Sequence, residues 1–282
     1  MTSLRRRAGA GAPGSGGHAV WRPILLVAAH PDDETIGAGA LLARAGTATI
    51  VHLTDGTPRD RRFWPAGLQV APEEYAALRR AELAEALRRG GVRDARLVAL
   101  GAPDQEAAQQ LPRLATALAR ILAEERPSLL VTHPYEGGHP DHDAAAFVSE
   151  AAVALARRGG VAPPVRVEMT SYHARQGAMA TGTFLDADGP EVVHVLGPAE
   201  RERKQRMLEA FASQQEVLRA FRADVERFRR APVHDFTRPP VDRNLAPGSD
   251  GRLLYERWEF PVTGERWREL AGAALADLGL RA

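Results

Sequence analysis

The chain has 282 residues, 44% hydrophobic and 26% charged, with a formal net charge of +1 and no cysteine. This is ordinary composition for an α/β protein with a buried core, and it excludes disulfides, thiolate metal sites and a cysteine nucleophile. The near-zero charge gives no electrostatic reason to expect a nucleic-acid or membrane partner.

Residues 1–20 carry Arg5, Arg6 and Arg7 ahead of a Gly/Ala/Pro/Ser run. Without an apolar segment behind the charges this is not a signal peptide, and it reads as a disordered tail. No run approaches the roughly 20 apolar residues of a membrane helix, so the expected location is cytoplasmic. Pro23–Ala29 is a short continuous apolar run, the pattern of a strand buried on both faces. A helix is predicted over Thr35–Ala45 and a second strand over Thr47–Leu53, closed by the turn Thr54-Asp55-Gly56. Pro72–Arg89 reads as a long helix stopped by Gly90 and Gly91. A strand over Arg96–Leu100, a helix over Leu111–Glu125 and a strand over Ser128–Thr132 follow. An Ala-rich helix over Asp143–Arg158 and a fifth strand over Val165–Met169 complete the alternation. Alternating strands and helices imply a Rossmann-like, mostly parallel sheet of order 3-2-1-4-5 with helices on both faces. The pattern is less regular after about residue 175. It suggests a strand at Val192–Val195, helix over Ala199–Phe228, an excursion over Ala231–Gly251 and a last strand near Leu254–Tyr255.

Two motifs carry chemistry. His30-Pro31-Asp32-Asp33-Glu34 follows the first strand, and His139-Pro140-Asp141-His142 lies in the loop after the fourth. In a sheet of order 3-2-1-4-5 those strands are neighbours, and their carboxyl ends form the topological switch point where such folds bind ligands. Either motif alone could be a turn and helix cap; the topology brings the two together. Imidazole and carboxylate suit Zn²⁺, with Fe²⁺ or another divalent ion as alternatives. His30, Asp33 and His142 would form a His₂Asp set with a position left for water. Asp32, beside ligand Asp33, could act as general base, and His139 could stabilise an oxyanion. His133, at the end of the fourth strand, is a candidate second-layer partner. Acids stand where a dinucleotide-binding turn would need glycines, which argues against a nucleotide site.

At these residues the chain resembles the LmbE/PIG-L family of zinc-dependent N-deacetylases, whose A-H-P-D-D-E segment is Ala29–Glu34 and whose H-P-D-H is His139–His142. Thr54-Asp55-Gly56, Arg79 with Glu82, Asp104, and Lys204 with Ser213-Gln214 match more loosely, so the likeness covers about residues 23–215. The resemblance implies one deacetylase domain over residues 21–282 that hydrolyses an N-acetyl amide on an N-acetylglucosaminyl-type small molecule. It implies His30, Asp33 and His142 as metal ligands, Asp32 as base and His139 as electrostatic partner. Asp141 would orient a histidine, and Arg79 and Asp104 would hold sugar hydroxyls. The expected partner is a small amino-sugar conjugate, with neither nucleic acid nor membrane, and a homo-oligomer is left open. An amidase acting on a thiol conjugate or an N-acyl antibiotic, and a non-catalytic sugar-binding module, are the competing readings.

Overall fold

The structure is a computed structural model that describes residues 23–186, 189–240 and 251–281; the expected N-terminal tail and residues 241–250 of the Ala231–Gly251 excursion lie outside them. Five strands run parallel: β1 (Ile24–Ala28), β2 (Thr47–Pro58), β3 (Asp94–Asp104), β4 (Leu129–Thr132) and β5 (Val165–Met169). Between them come the helices α1 (Asp33–Ala45), α2 (Pro72–Gly90), α3 (Leu111–Glu125) and α4 (Pro140–Arg158). A hairpin follows, β6 (Tyr172–Arg175) and β7 (Ala178–Thr181). Then come β8 (Glu191–Val195), α5 (Pro198–Leu208), α6 (Gln215–Leu218), β9 (Val225–Arg230), α7 (Leu254–Arg257) and α8 (Gly264–Asp277). The main sheet has the order β3-β2-β1-β4-β5-β9-β8, the predicted core order 3-2-1-4-5 extended by β9, antiparallel to β5, and β8, antiparallel to β9.

Continuous apolar strands work here because both faces are covered. Leu25 and Val27 point into a core built with α3, α4 and α8, while Ile24, Leu26 and Ala28 point into one built with α1, α2 and α5. Burying a leucine this completely stabilises the fold by about 1.5–3 kcal/mol. With β1 and β4 paired at the centre, their carboxyl ends are held rigidly side by side.

Two sequence expectations for the last third are corrected. The helix expected over Ala199–Phe228 ends at Leu208, continues only as short turns to Leu218, and gives way to strand β9. The final strand expected near Leu254–Tyr255 is the single-turn helix α7, because Glu256 Oε2 accepts from the Leu253 N–H (2.9 Å) and caps a turn.

The looser family-like motifs hold the frame together. Helix α1 is broken at Ala38 (φ −144°, ψ 18°). Glu226 of β9 takes the N–H groups of Ala40 (2.7 Å) and Leu41 (3.1 Å), and Lys204 of α5 donates to Ile36 O (2.7 Å) and Glu226 Oε1 (2.8 Å). This fully buried pair thus satisfies backbone groups that the kink frees. Glu82 on α2 accepts from both the backbone N–H and the hydroxyl of Ser213 (2.7 Å each), and Gln214 donates to the Tyr75 hydroxyl (2.8 Å). These bonds dock the 212–218 segment against α2. Among the described residues no helix is long and apolar enough to cross a membrane.

Candidate active site

Past the end of β1 the chain must turn sharply into α1, and Asp32 takes the turn with φ +141°. Such a conformation costs a non-glycine residue about 1–3 kcal/mol and persists only where neighbours enforce it. Here Asp32 N–H donates to Glu34 Oε2 (3.0 Å), whose carboxylate also faces His52 Nε2 (3.0 Å). Arg79 donates to Pro31 O (2.6 Å), Asp32 Oδ2 (3.0 Å) and Gly56 O (2.9 Å). Gly56 allows this approach: a Cβ there would lie 2.9 Å from the Pro31 ring. The Asp32 carboxylate is therefore spent on Arg79 and makes no helix-cap bond, although it sits at the N-cap position.

The second loop is fixed as tightly. A Cβ on Gly138 would lie 1.9 Å from Tyr172 O, so only glycine fits between β6 and the His139 loop. Asp143 accepts from the N–H groups of Glu136 (3.1 Å) and Gly137 (3.0 Å). His139 caps α4, its Nδ1 accepting from Asp141 N–H (3.1 Å). That bond places the neutral ring's proton on Nε2, which lies 3.7 Å from Asp104 Oδ1.

The two loops meet. His30 Nδ1 lies 3.2 Å from Asp33 Oδ2, while its Nε2 lies 3.0 Å from Asp104 Oδ1 and 3.2 Å from Asp141 Oδ2. His142 Nε2 lies 3.2 Å from Asp33 Oδ1, and its Nδ1 lies 3.2 Å from Ser171 Oγ. His133 stacks on His142 with ring centroids 4.1 Å apart, and its Nε2 accepts from Ala29 N–H (3.2 Å). Asp141 is anchored by the N–H groups of Gln105 (2.6 Å) and Ala107 (3.0 Å). All the residues expected to form the site, His30, Asp32, Asp33, Arg79, Asp104, His139, Asp141 and His142, are buried.

Their electrostatics follow from that burial. Burial pushes the Asp32 carboxyl up to about 8, against the pull of Arg79. For Asp33 burial works the same way, but His142 and His133 outweigh it and hold the carboxyl well below its usual range. Burial lowers His142 to about 4 and, with His30 and His142 beside it, takes His139 well below the ordinary imidazole value. His30 goes the other way: burial opposes its charge, yet Asp104, Asp141 and Asp33 together raise it well above normal.

A buried cluster with this many carboxylates favours a cation. Buried His142 Nε2 and Asp104 Oδ1 make no hydrogen bond with acceptable geometry. Donor atoms of His30, His139 and His142 lie within 4.8 Å of one another, and so do those of Asp33, His133 and His142, and those of His30, Asp104, His139 and Asp141. His142 belongs to two of these groups, and its orphaned nitrogen with a polar partner on the other ring atom is the arrangement of a metal-binding histidine. The residues present fit a divalent metal.

The cluster forms the floor of a cleft of about 500 Å³. Arg79 and Asp104 line it, yet Arg79 directs its guanidinium at the Asp32 loop. The walls include Phe63, Gln105 and Tyr172, from the loops after Gly56 and Gly101 and the region from Ser171, where the sequence leads one to expect pocket walls, and Phe221, Trp258 and Phe260, which sequence reasoning missed. No motif or spacing marks any of these residues, because they arrive from a 3-10 turn, loops and the hairpin.

Residues 25–153 match the family model described as "PIG-L: GlcNAc-PI de-N-acetylase". A 1D-myo-inositol 2-acetamido-2-deoxy-α-D-glucopyranoside deacetylase of Catenulispora acidiphila is 37% identical over 164 residues, covering 50% of this chain and 54% of that protein. Its counterpart from Salinispora arenicola is 34% identical over 166 residues, covering 50% and 54%. The chain spans about half the length of these curated relatives. A conserved protein of Thermus thermophilus superposes with a TM-score of 0.51 and 25% identity, over 80% of this chain and 98% of that one. The N,N'-diacetylchitobiose deacetylase of Pyrococcus horikoshii has a TM-score of 0.52 at 20% identity, over 82% and 88%, a likeness of fold. Over residues 25–153, which contain both histidine motifs, the chain is similar to the PIG-L (LmbE-like) family.

Proposed function

We propose that the chain is a metal-dependent N-deacetylase that hydrolyses the acetamide of an N-acetylglucosaminyl-type small molecule, giving acetate and a free amine. The observation that carries this reading is the union of two motifs at the β1/β4 strand ends: histidine donors with an orphaned nitrogen, beside a carboxylate and an imidazole of opposite proton affinity. The matched relatives, named as deacetylases of an amino-sugar inositol, support the substrate class. His30, Asp33 and His142 would hold the metal, Zn²⁺ in the first instance and Fe²⁺ as the alternative. When bound, the ion supplies Lewis-acid polarisation of the amide carbonyl and acidifies water.

The chain's own residues do the rest. Asp32, whose burial gives it an unusual affinity for a proton, takes one from the attacking water. Arg79 keeps the Asp32 carboxylate aimed and its loop strained into place. His139 is neutral with its proton on Nε2, so it donates to the carbonyl oxygen as negative charge develops there. Asp141 orients His30 through a 3.2 Å contact while its own backbone N–H fixes the His139 ring. The proton gathered by Asp32 then passes to the leaving amine.

The test is acetate release from a panel of N-acetylglucosaminyl compounds, before and after chelation and after zinc is restored. The expected outcome is chelator-sensitive, zinc-restored release of equimolar acetate and amine. Release that survives complete metal removal would refute metal dependence. Carbohydrate binding with no release from any member would favour the non-catalytic module.

A further inference from the structure

Above the polar floor the cleft changes character. Phe260 packs edge-on against His139 (centroids 4.9 Å, 72°), and Tyr172 packs against His142 (4.9 Å, 66°). Trp258 lies 5.8 Å from each of those outer rings, so an arc of aromatic rings starts on one site histidine and ends on the other. Phe63 extends it beyond Phe260 (4.8 Å) and Phe221 beyond Tyr172 (5.9 Å). At the rim Trp258 is 37% exposed and Val217 55% exposed, leaving apolar surface bare at the entrance.

The charges tell the same story by subtraction. Among the described residues lining the cleft, Arg79 is the sole Lys or Arg, and both of its terminal nitrogens are engaged below. The acids Asp32, Asp33, Asp104 and Glu216 line it too. A phosphate or carboxylate beyond the amino sugar would therefore find no cationic side chain free to pair with it. A polyol would need several convergent polar groups, and the uncharged side-chain amides available are Gln105 and Gln214.

We propose that the outer half of the cleft is a subsite for an uncharged, apolar aglycone, alkyl or aryl, carried by the amino sugar. This rests on the deacetylase reading and narrows its substrate. The floor takes the sugar acetamide, and the aromatic arc and Val217 bury the group attached to the sugar.

Binding and turnover test the two ideas separately. Titration calorimetry on the full chain would use methyl, phenyl and octyl β-D-glucopyranosides and cellobiose, which lack the amide, with octyl glucoside kept below its micellar concentration. Phenyl and octyl glucosides are expected to bind at least about tenfold tighter than the methyl glucoside and cellobiose, the scale of burying two methylenes. Trp258→Ala and the rim substitution Val217→Ser should each reduce that preference by about threefold or more, the scale of one lost apolar contact. Equal binding of methyl and octyl glucosides, a preference untouched by both substitutions, or cellobiose as the tightest ligand would overturn the subsite. Acetate release from the matching methyl, phenyl and octyl N-acetylglucosaminides should rank the same way in kcat/KM. No acetate from any of the three, with the binding preference intact, would overturn the deacetylase reading and leave the subsite standing. Active hydrolysis without a binding preference would do the reverse.

Discussion

In the parallel half of the sheet, both histidine motifs begin just past the end of a buried strand: His30 after β1, His139 in the loop after β4. In the later region the cleft residues come from a hairpin (Tyr172), a short helix (Val217) and the segment after α7 (Trp258, Phe260). The floor is polar, buried and held by backbone bonds; the mouth is aromatic and partly bare. The two regions divide the labour. Reacting groups need positions fixed to fractions of an ångström, which buried parallel strands supply. A surface that selects among substrates tolerates looser supports and can vary without disturbing the chemistry.

Substitutions in the two regions should therefore act differently. The largest effect is expected from the ligand set. His142→Ala and Asp33→Ala should each lose bound metal, measured by elemental analysis after dialysis, and with it all detectable acetate release. Full metal occupancy in both variants would move the metal elsewhere in the cluster. Next comes Asp32→Asn, expected to keep the metal while kcat falls by about a hundredfold or more, the scale of general-base catalysis. Near-normal turnover would leave Asp32 as no more than Arg79's partner. His139→Ala should retain metal and KM and lose about a hundredfold in kcat, as removal of an oxyanion donor does. Loss of metal instead would place His139 among the ligands, as its closeness to His30 and His142 allows.

The smallest effect on chemistry belongs to Lys204→Met, which cuts the tie between the later region and α1. It strands Glu226 in the core and should destabilise the fold by about 3–5 kcal/mol, read by denaturant unfolding. Turnover per folded molecule should change no more than a few-fold. A hundredfold fall in kcat in the folded fraction would mean that the frame and the floor are not separable.

How much of this was legible follows the same boundary. Continuous apolar runs marked β1, β2 and β4, because strands covered on both faces cannot hide their composition, whereas the more exposed β3 and β5 were marked by their place in the strand–helix alternation. Strand β9 was not legible. Its sequence Val-Glu-Arg-Phe-Arg-Arg looks like a charged helix face until its partners are seen: Glu226 on Lys204, Arg227 on Glu191, Arg229 on Glu168 and Asp186. Those pairs span up to 61 residues and leave no local periodicity. Leu254–Tyr255 misled for the opposite reason: two apolar residues are buried there by a tertiary contact, Leu254 N–H donating to Gly137 O (3.0 Å), and not by strand pairing. In the site, the motifs gave the polar residues, and topology gave their meeting place. Arg79 was read as a sugar contact, and its hold on the Asp32 loop became visible only in three dimensions.

The buried pair between α5 and β9 has one more consequence. Lys204 is the only lysine in the chain, and its ammonium group is wholly enclosed. Apart from the α-amino group, the folded protein offers amine-reactive reagents no target. The amine freed from a substrate can therefore be labelled in the presence of the enzyme against very little background. The same enclosure makes acylation of Lys204 a clock for opening of the α1–α5–β9 junction. Its rate, compared with that of a free lysine, measures how often that junction comes apart.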